Sequence, residues 1–125
     1  MDNNCPFCKV EAEREIIAST SLSIAFFDSF PVSPGHALIV PRRHVASFFD
    51  LTDDEKQDIL KLAGQVKTII DNEYHPDGYN IGINVGEAAG QSIFHVHMHI
   101  IPRYKGDVPN PRGGVRGVIP SKQNY

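Results

Sequence analysis

The sequence predicts a mixed α and β domain on three observations. Five short runs rich in β-branched and aromatic residues read as strands, at 16–18, 23–28, 36–41, 79–86 and 94–101. One long run between the third and the fourth repeats its apolar residues at helical spacing. Proline and glycine punctuate the runs, so the connections read as turns rather than linkers. A chain of 125 residues suffices for one domain, 1–125, with a modest core. A composition of 41% hydrophobic and 22% charged residues is that of a soluble globular protein. The net charge of −3 argues against general nucleic-acid binding. No apolar run approaches the roughly 20 residues of a membrane span. Met1-Asp2-Asn3-Asn4 lacks the basic start and apolar core of a signal peptide, so a cytoplasmic address is expected.

Cys5-Pro6-Phe7-Cys8 places two thiols three positions apart within a 1–10 segment that could bind metal. In a reducing compartment they are plain thiols or half of a tetrahedral site whose other ligands the fold must supply. Ile16-Ile17-Ala18 is a short strand. Ser23-Ile24-Ala25-Phe26-Phe27-Asp28 is a second, and Asp28 at its end can face a ligand or cap a turn. Pro31-Val32-Ser33-Pro34-Gly35 turns the chain into His36-Ala37-Leu38-Ile39-Val40-Pro41, and these two strands pair antiparallel. Arg42, Arg43 and His44 follow.

Thr52 and Glu55 make a capping box, and the acids beside them suit the positive end of a helix dipole. Ile59, Leu62, Ala63, Val66, Ile69 and Ile70 then give one apolar face, predicting a scaffold helix to about Asn72 or Glu73. Pro76-Asp77-Gly78 is a turn, and Tyr79 to Gly86 alternates as a strand. Gly86-Glu87-Ala88-Ala89-Gly90-Gln91-Ser92 is a small-residue loop whose backbone N–H groups can cradle an anion.

That loop enters Phe94-His95-Val96-His97-Met98-His99-Ile100-Ile101-Pro102. At a period of two, His95, His97 and His99 share one face, and Phe94, Val96, Met98 and Ile100 share the other. Alternate strand residues lie about 6–7 Å apart, so three imidazoles form a row. Packing alone does not ask for imidazole three times running, whereas a nucleophile with its proton donors does. Pro102, with no N–H, is expected to stop the strand. The segment 103–125 is loop-like and basic: Arg103, Lys105, Arg112, Arg116 and Lys122 stand against Asp107 alone. It is either a solvated tail or a cover bringing positive charge to phosphates near the histidine face.

Gly90-Gln91-Ser92-Ile93-Phe94-His95-Val96-His97-Met98-His99-Ile100-Ile101 resembles the motif of the histidine-triad hydrolase and transferase family. The stretches Phe27-Asp28, Pro34–Pro41 and Leu51–Glu55 resemble it too. Ile101-Pro102-Arg103-Tyr104 is closer to the fragile-histidine-triad branch and its bacterial relatives than to the phosphoramidase branch. The resemblance implies an α+β fold: an antiparallel sheet of about five strands, one long helix, a short second helix, and a homodimer. It implies substrates of the form NMP–X, a purine nucleotide and in particular an adenylate, such as a dinucleoside polyphosphate or a nucleoside phosphoramidate. His97 would be the nucleophile that becomes transiently nucleotidylated, with no cofactor needed for the chemistry. His99 would hold a non-bridging oxygen, and His95 and His36 would complete the catalytic group, His36 from behind. Gly90, Gln91 and Ser92 would hold the α-phosphate, Asp28 the ribose hydroxyls, and Asn84 the nucleotide. Cys5, Cys8, His44 and His95 match a structural zinc set, which would leave His97 and His99 for chemistry.

Two other classes fit the same residues. A metal-dependent hydrolase could hold its ion on the three histidines, although no acid lies between Glu87 and Asp107 to complete such a site. A nucleotide-binding sensor without turnover would keep the fold and lose the reaction.

Overall fold

The computed structural model describes residues 4–125; Met1, Asp2 and Asn3, part of the 1–10 segment, lie outside the described residues. The strands are β1 (Ile16–Ser19), β2 (Ser23–Phe27), β3 (Ala37–Pro41), β4 (Gly78–Ile83) and β5 (Met98–Arg103). They form one sheet in the order β1-β2-β3-β5-β4, and every neighbouring pair is antiparallel. The helices are α1 (Val10–Glu13) and α2 (Asp53–Tyr74). The α+β class, the five-stranded antiparallel sheet and the long and short helices are therefore as expected. Among the described residues no helix is long and apolar enough to cross a membrane.

The two faces of the sheet are covered differently. Ala25, Ala37, Ile39, Met98 and Ile100 pack with Ile59, Leu62, Val66 and Ile70 of α2. Ile24, Phe26, Leu38 and Val40 pack instead with Cys5, Phe7 and Val10 of the N-terminal segment. Strand alternation produces both sets, which is why β2 and β3 are buried almost throughout. Leu38 lies opposite His99 in the register, so the histidine face is the one the N-terminal segment covers.

α2 starts at the predicted capping box. Glu55 N–H donates to Thr52 Oγ1 at 3.1 Å and Thr52 N–H to the Glu55 carboxylate at 2.9 Å. Glu55 also accepts two hydrogen bonds from Arg43, tying the helix start to the segment that carries His44. The turn before β3 is pinned to the far end of β5, where Ser33 Oγ donates to the Pro102 carbonyl (2.7 Å) and Tyr104 Oη to that of Pro34 (2.6 Å). Gly35 is required there: its φ is +88°, and a Cβ would lie 3.0 Å from the Tyr74 ring.

Three expectations change. The last strand begins at Met98 rather than at Phe94, because β3 offers it partners only from Met98 onward, and Val96 N–H turns to the Val45 carbonyl at 2.7 Å. Phe94, placed on the core face by alternation, is accordingly 49% exposed, while Val96, Met98 and Ile100 are buried. Pro102 does not stop the strand. Its carbonyl points to Ser33, so its missing N–H falls on the same side, beyond the last rung between β3 and β5. β4 ends at Ile83, three residues before Gly86.

Candidate active site

His97 and His99 face each other with ring centroids 5.1 Å apart and planes at 66°. Each histidine near them has one nitrogen committed to a neighbour, and that commitment sets what the other nitrogen can do. His97 Nδ1–H donates to the backbone carbonyl of His95 at 2.9 Å. The neutral ring therefore carries its lone pair on Nε2, which has no hydrogen-bond partner among the described residues. In the turn before β3, Val32 N–H donates to His36 Nδ1 at 3.1 Å, so the proton of neutral His36 sits on Nε2, 3.0 Å from His99 Nδ1. His99 accepts that proton's hydrogen bond and keeps its own hydrogen on Nε2. The outcome is a lone pair on His97 and an N–H donor on His99, side by side.

Burial keeps both supports neutral. The pKa of His99 is pushed down to about 4, by burial first and then by His97 and His36, against the opposing charge of Asp28. That of His36 is lowered by burial, again opposed by Asp28. Asp28 Oδ2 lies 3.5 Å from His36 Nε2, and its Oδ1 accepts from Phe30 N–H at 3.0 Å. Asp28 thus caps the turn and faces the histidines at once. Beside His36 and His99 opens a cavity of about 290 Å³ lined by Val32, Asn80, Ile81, Gly82, Asn84, Ile101 and Val115. It is apolar with two amides at its edge, and small for an organic ligand site, since such sites run from roughly 300 to 1,000 Å³.

The first triad histidine goes elsewhere. His95 is fully buried, and its Nε2–H donates to the Pro41 carbonyl at 2.8 Å. Its Nδ1 lone pair faces Cys5 Sγ at 3.4 Å, Cys8 Sγ at 3.6 Å and His44 Nδ1 at 3.2 Å, and Cys8 Sγ lies 3.2 Å from His44 Nδ1. All four donor atoms fall within 4.8 Å of one another. A tetrahedral zinc with ordinary Zn–S and Zn–N bonds sets its donors roughly 3.3–3.8 Å apart. Two thiols and two imidazoles so placed fit that ion, with the Pro41 carbonyl fixing the tautomer of His95 from behind. Burial lowers the His95 pKa, which keeps the ring neutral as a ligand must be.

Asp28, His36 and His99 are a second close cluster. The fold thus brings to the histidines the acid that the local sequence lacked. The tautomer of His36 speaks against a metal there, because Nδ1 is occupied by Val32 N–H and Nε2 would have to give up the ring's only hydrogen to become a ligand.

The loop before the triad is tied to itself. Gln91 Oε1 accepts from Gly86 N–H (2.8 Å), and Gln91 Nε2 donates to the carbonyls of Ala46 (2.8 Å) and Ile93 (3.1 Å). The N–H groups of Gly90 and Gln91 turn inward to Glu87 and Gly86. Gly90 and Gln91 therefore shape the loop, and Ser92 is exposed with no hydrogen bond among the described residues. Of the tail's charges, Arg103 follows His99 and Ile101 on this face of β5 and donates to Asn80 Oδ1 at the cavity edge (2.6 Å). Arg112 and Arg116 lie over the Tyr125 ring at 4.7 and 4.9 Å, Arg103 pairs with Asp107 at 2.7 Å, and the tail residue that reaches the cavity is Val115. Val115 and Phe7, whose ring lies 5.0 Å from that of His97, had no local signal in the sequence. Ile101 did, since it continues the alternation of His97 and His99.

The family model described as HIT domain matches residues 9–106. The chain belongs to the HIT domain family. It is 40% identical over 101 residues to the asymmetrical bis(5'-nucleosyl)-tetraphosphatase of Schizosaccharomyces pombe, covering 81% of this chain and 56% of that protein. Over 98 residues it is 40% identical to the bis(5'-adenosyl)-triphosphatase of Dictyostelium discoideum, covering 78% of this chain and 66% of that one. A crystal structure of a HIT family protein from Bacillus anthracis superposes with a TM-score of 0.79 at 34% identity, over 86% of this chain and 78% of that one. The HIT domain accounts for the sheet, for α2 and for the histidine face, while the segment after residue 106 lies outside the match.

Proposed function

We propose that this protein is a HIT-type hydrolase that cleaves dinucleoside polyphosphates at the α-phosphate through a covalent His97–NMP intermediate. The observation that carries the reading is the pairing of an Nε2 lone pair on His97 with an Nε2–H on His99. In the first step His97 Nε2 attacks the α-phosphorus, and the bond to the bridging oxygen breaks. The leaving polyphosphate takes the electron pair. In the second step water attacks the same phosphorus, the P–N bond returns its electrons to His97 Nε2, and the proton lost by water goes to solvent. His99 Nε2–H donates to a non-bridging oxygen as charge builds there. The catalytic group is thus His97, His99, His36 and, through its carbonyl, His95. Ser92 meets the phosphate from the loop that Gly90 and Gln91 shape. Asp28 accepts the ribose hydroxyls, and Asn84 borders the base.

The cavity holds one nucleoside half, with a purine, adenine in particular, against Val32, Ile81, Ile101 and Val115. The remainder of the substrate projects outward, so the leaving group is read weakly and a nucleoside phosphoramidate is a further substrate class. Cys5, Cys8, His44 and His95 hold a structural zinc, which supplies no chemistry to the reaction but closes the N-terminal segment onto the sheet. A homodimer through β4 belongs to the same reading, supported by the position of β4 at the sheet edge.

Product analysis with diadenosine tetraphosphate tests the reaction. Attack at the α-phosphorus yields AMP and ATP, and His97→Ala should lower kcat by about a thousandfold or more. Two equivalents of ADP would place the attack elsewhere. Tight AMP binding without any cleavage would make the protein a sensor.

A further inference from the structure

The turn between the cysteines carries a group that the reaction scheme above leaves unused. Phe7 lies inside the single helical turn Pro6–Lys9, which Cys5 precedes and Cys8 completes in part. Its side chain is 7% exposed and points into the sheet. The ring packs edge-on against His97 with centroids 5.0 Å apart, on His95 at 6.1 Å, and on the fully buried Phe26 at 5.6 Å. His97 itself is only 7% exposed, so Phe7 is a wall of the pocket that holds it. On its other side the same imidazole is held by the His95 carbonyl, and His95 Nδ1 faces Cys5 and Cys8. Two routes therefore run from the cysteine cluster to one ring: the His95 backbone and the Phe7 side chain.

We propose that Phe7 is a positioning residue for His97, and that closing the Cys5, Cys8, His44 and His95 cluster sets the orientation of that imidazole. The inference rests on the reading of His97 as the nucleophile. An attacking nitrogen must meet phosphorus in line, and a tilt of the ring moves Nε2 directly. Misplacement by about 1 Å is enough to lower a rate roughly a hundredfold. Phe7 does not line the cavity and does not belong to the Asp28, His36 and His99 cluster. Its effect should fall on kcat and spare KM.

The test uses the full chain with zinc bound, and the variants Phe7→Leu and Phe7→Ala. Native mass spectrometry reports metal content, steady-state turnover of diadenosine tetraphosphate reports kcat and KM, and a proton–nitrogen spectrum of the histidine side chains, without substrate, reports the His97 Nδ1–H. Phe7→Leu should retain one zinc, leave KM within about twofold and lower kcat about tenfold, with Phe7→Ala nearer a hundredfold. The His97 Nδ1–H resonance should move and broaden in both. Removing zinc from the wild type should move the same resonance. Unchanged kcat and an unmoved resonance in zinc-loaded Phe7→Leu would overturn the proposal, as would a His97 resonance indifferent to zinc. Should Phe7→Ala fail to fold, Phe7→Leu and the metal-stripped wild type decide. If the wild type does not turn over, the hydrolase reading fails, while the resonance still decides whether Phe7 and the cluster orient His97.

Discussion

Five histidines near the site carry different jobs because each is held by different neighbours. His95 gives Nε2–H to Pro41 and faces the thiols with Nδ1, whereas His97 gives Nδ1–H to a carbonyl and keeps a lone pair on Nε2. His36 passes the orientation set by Val32 N–H to His99, and His44 stands with the cysteines. A pH dependence follows from His99. Its ordinary pKa of 6.5 falls to about 4 in the folded chain. Above pH 6.5 the ring is neutral in both states and contributes no pH slope. As the pH drops toward 4 the unfolded chain takes up a proton that the folded chain refuses, so stability is lost across that window, on the order of 2 kcal/mol once solvent screening of the half-buried ring is discounted. Urea melts at pH 7, 5.5 and 4.5 should show this decline, and His99→Asn should flatten it. A decline equally steep in His99→Asn would assign the effect to other groups. The row of three histidines was visible in the sequence. Their division of labour was less so, because it is made by residues far away in the chain, with Cys5 lying 90 positions from His95.

Elements set by local signals were legible, and those set by neighbours were not. The start of α2 is written in Thr52 and Glu55, and its apolar stripe ends on the sheet as the spacing predicts. β2 and β3 were legible for the same reason. The start of β5 depends on where β3 runs out, and the passage through Pro102 depends on which side lacks a partner; neither is a property of the residues themselves. The tail shows the same limit, since Arg112 and Arg116 are taken up by Tyr125 and only Val115 meets the cavity. Thr52→Ala removes one arm of the cap and should destabilise the fold by about 1 kcal/mol. Because α2 packs on the face opposite His97 and His99, kcat and KM should not change. Chemical denaturation with a parallel activity assay checks both, and a fall in kcat without a fall in stability would show that α2 reaches the site.

At the scale of the molecule, one sheet separates scaffold from chemistry. The α2 side supplies burial, and the other side carries the histidines beneath an N-terminal cover that packs on the sheet through Cys5, Phe7 and Val10. The sequence could show that the two sides differ, since apolar and histidine residues alternate from Val96 to Ile100. It could not show that the N-terminal segment closes the chemical side. The most direct test of this arrangement is intact-protein mass after rapid mixing with diadenosine tetraphosphate, comparing wild type with His97→Ala. A transient increase of one AMP on the wild type, absent from the variant, is the predicted result. AMP release with no adduct on the wild type, or undiminished turnover by His97→Ala, would contradict a covalent route through His97.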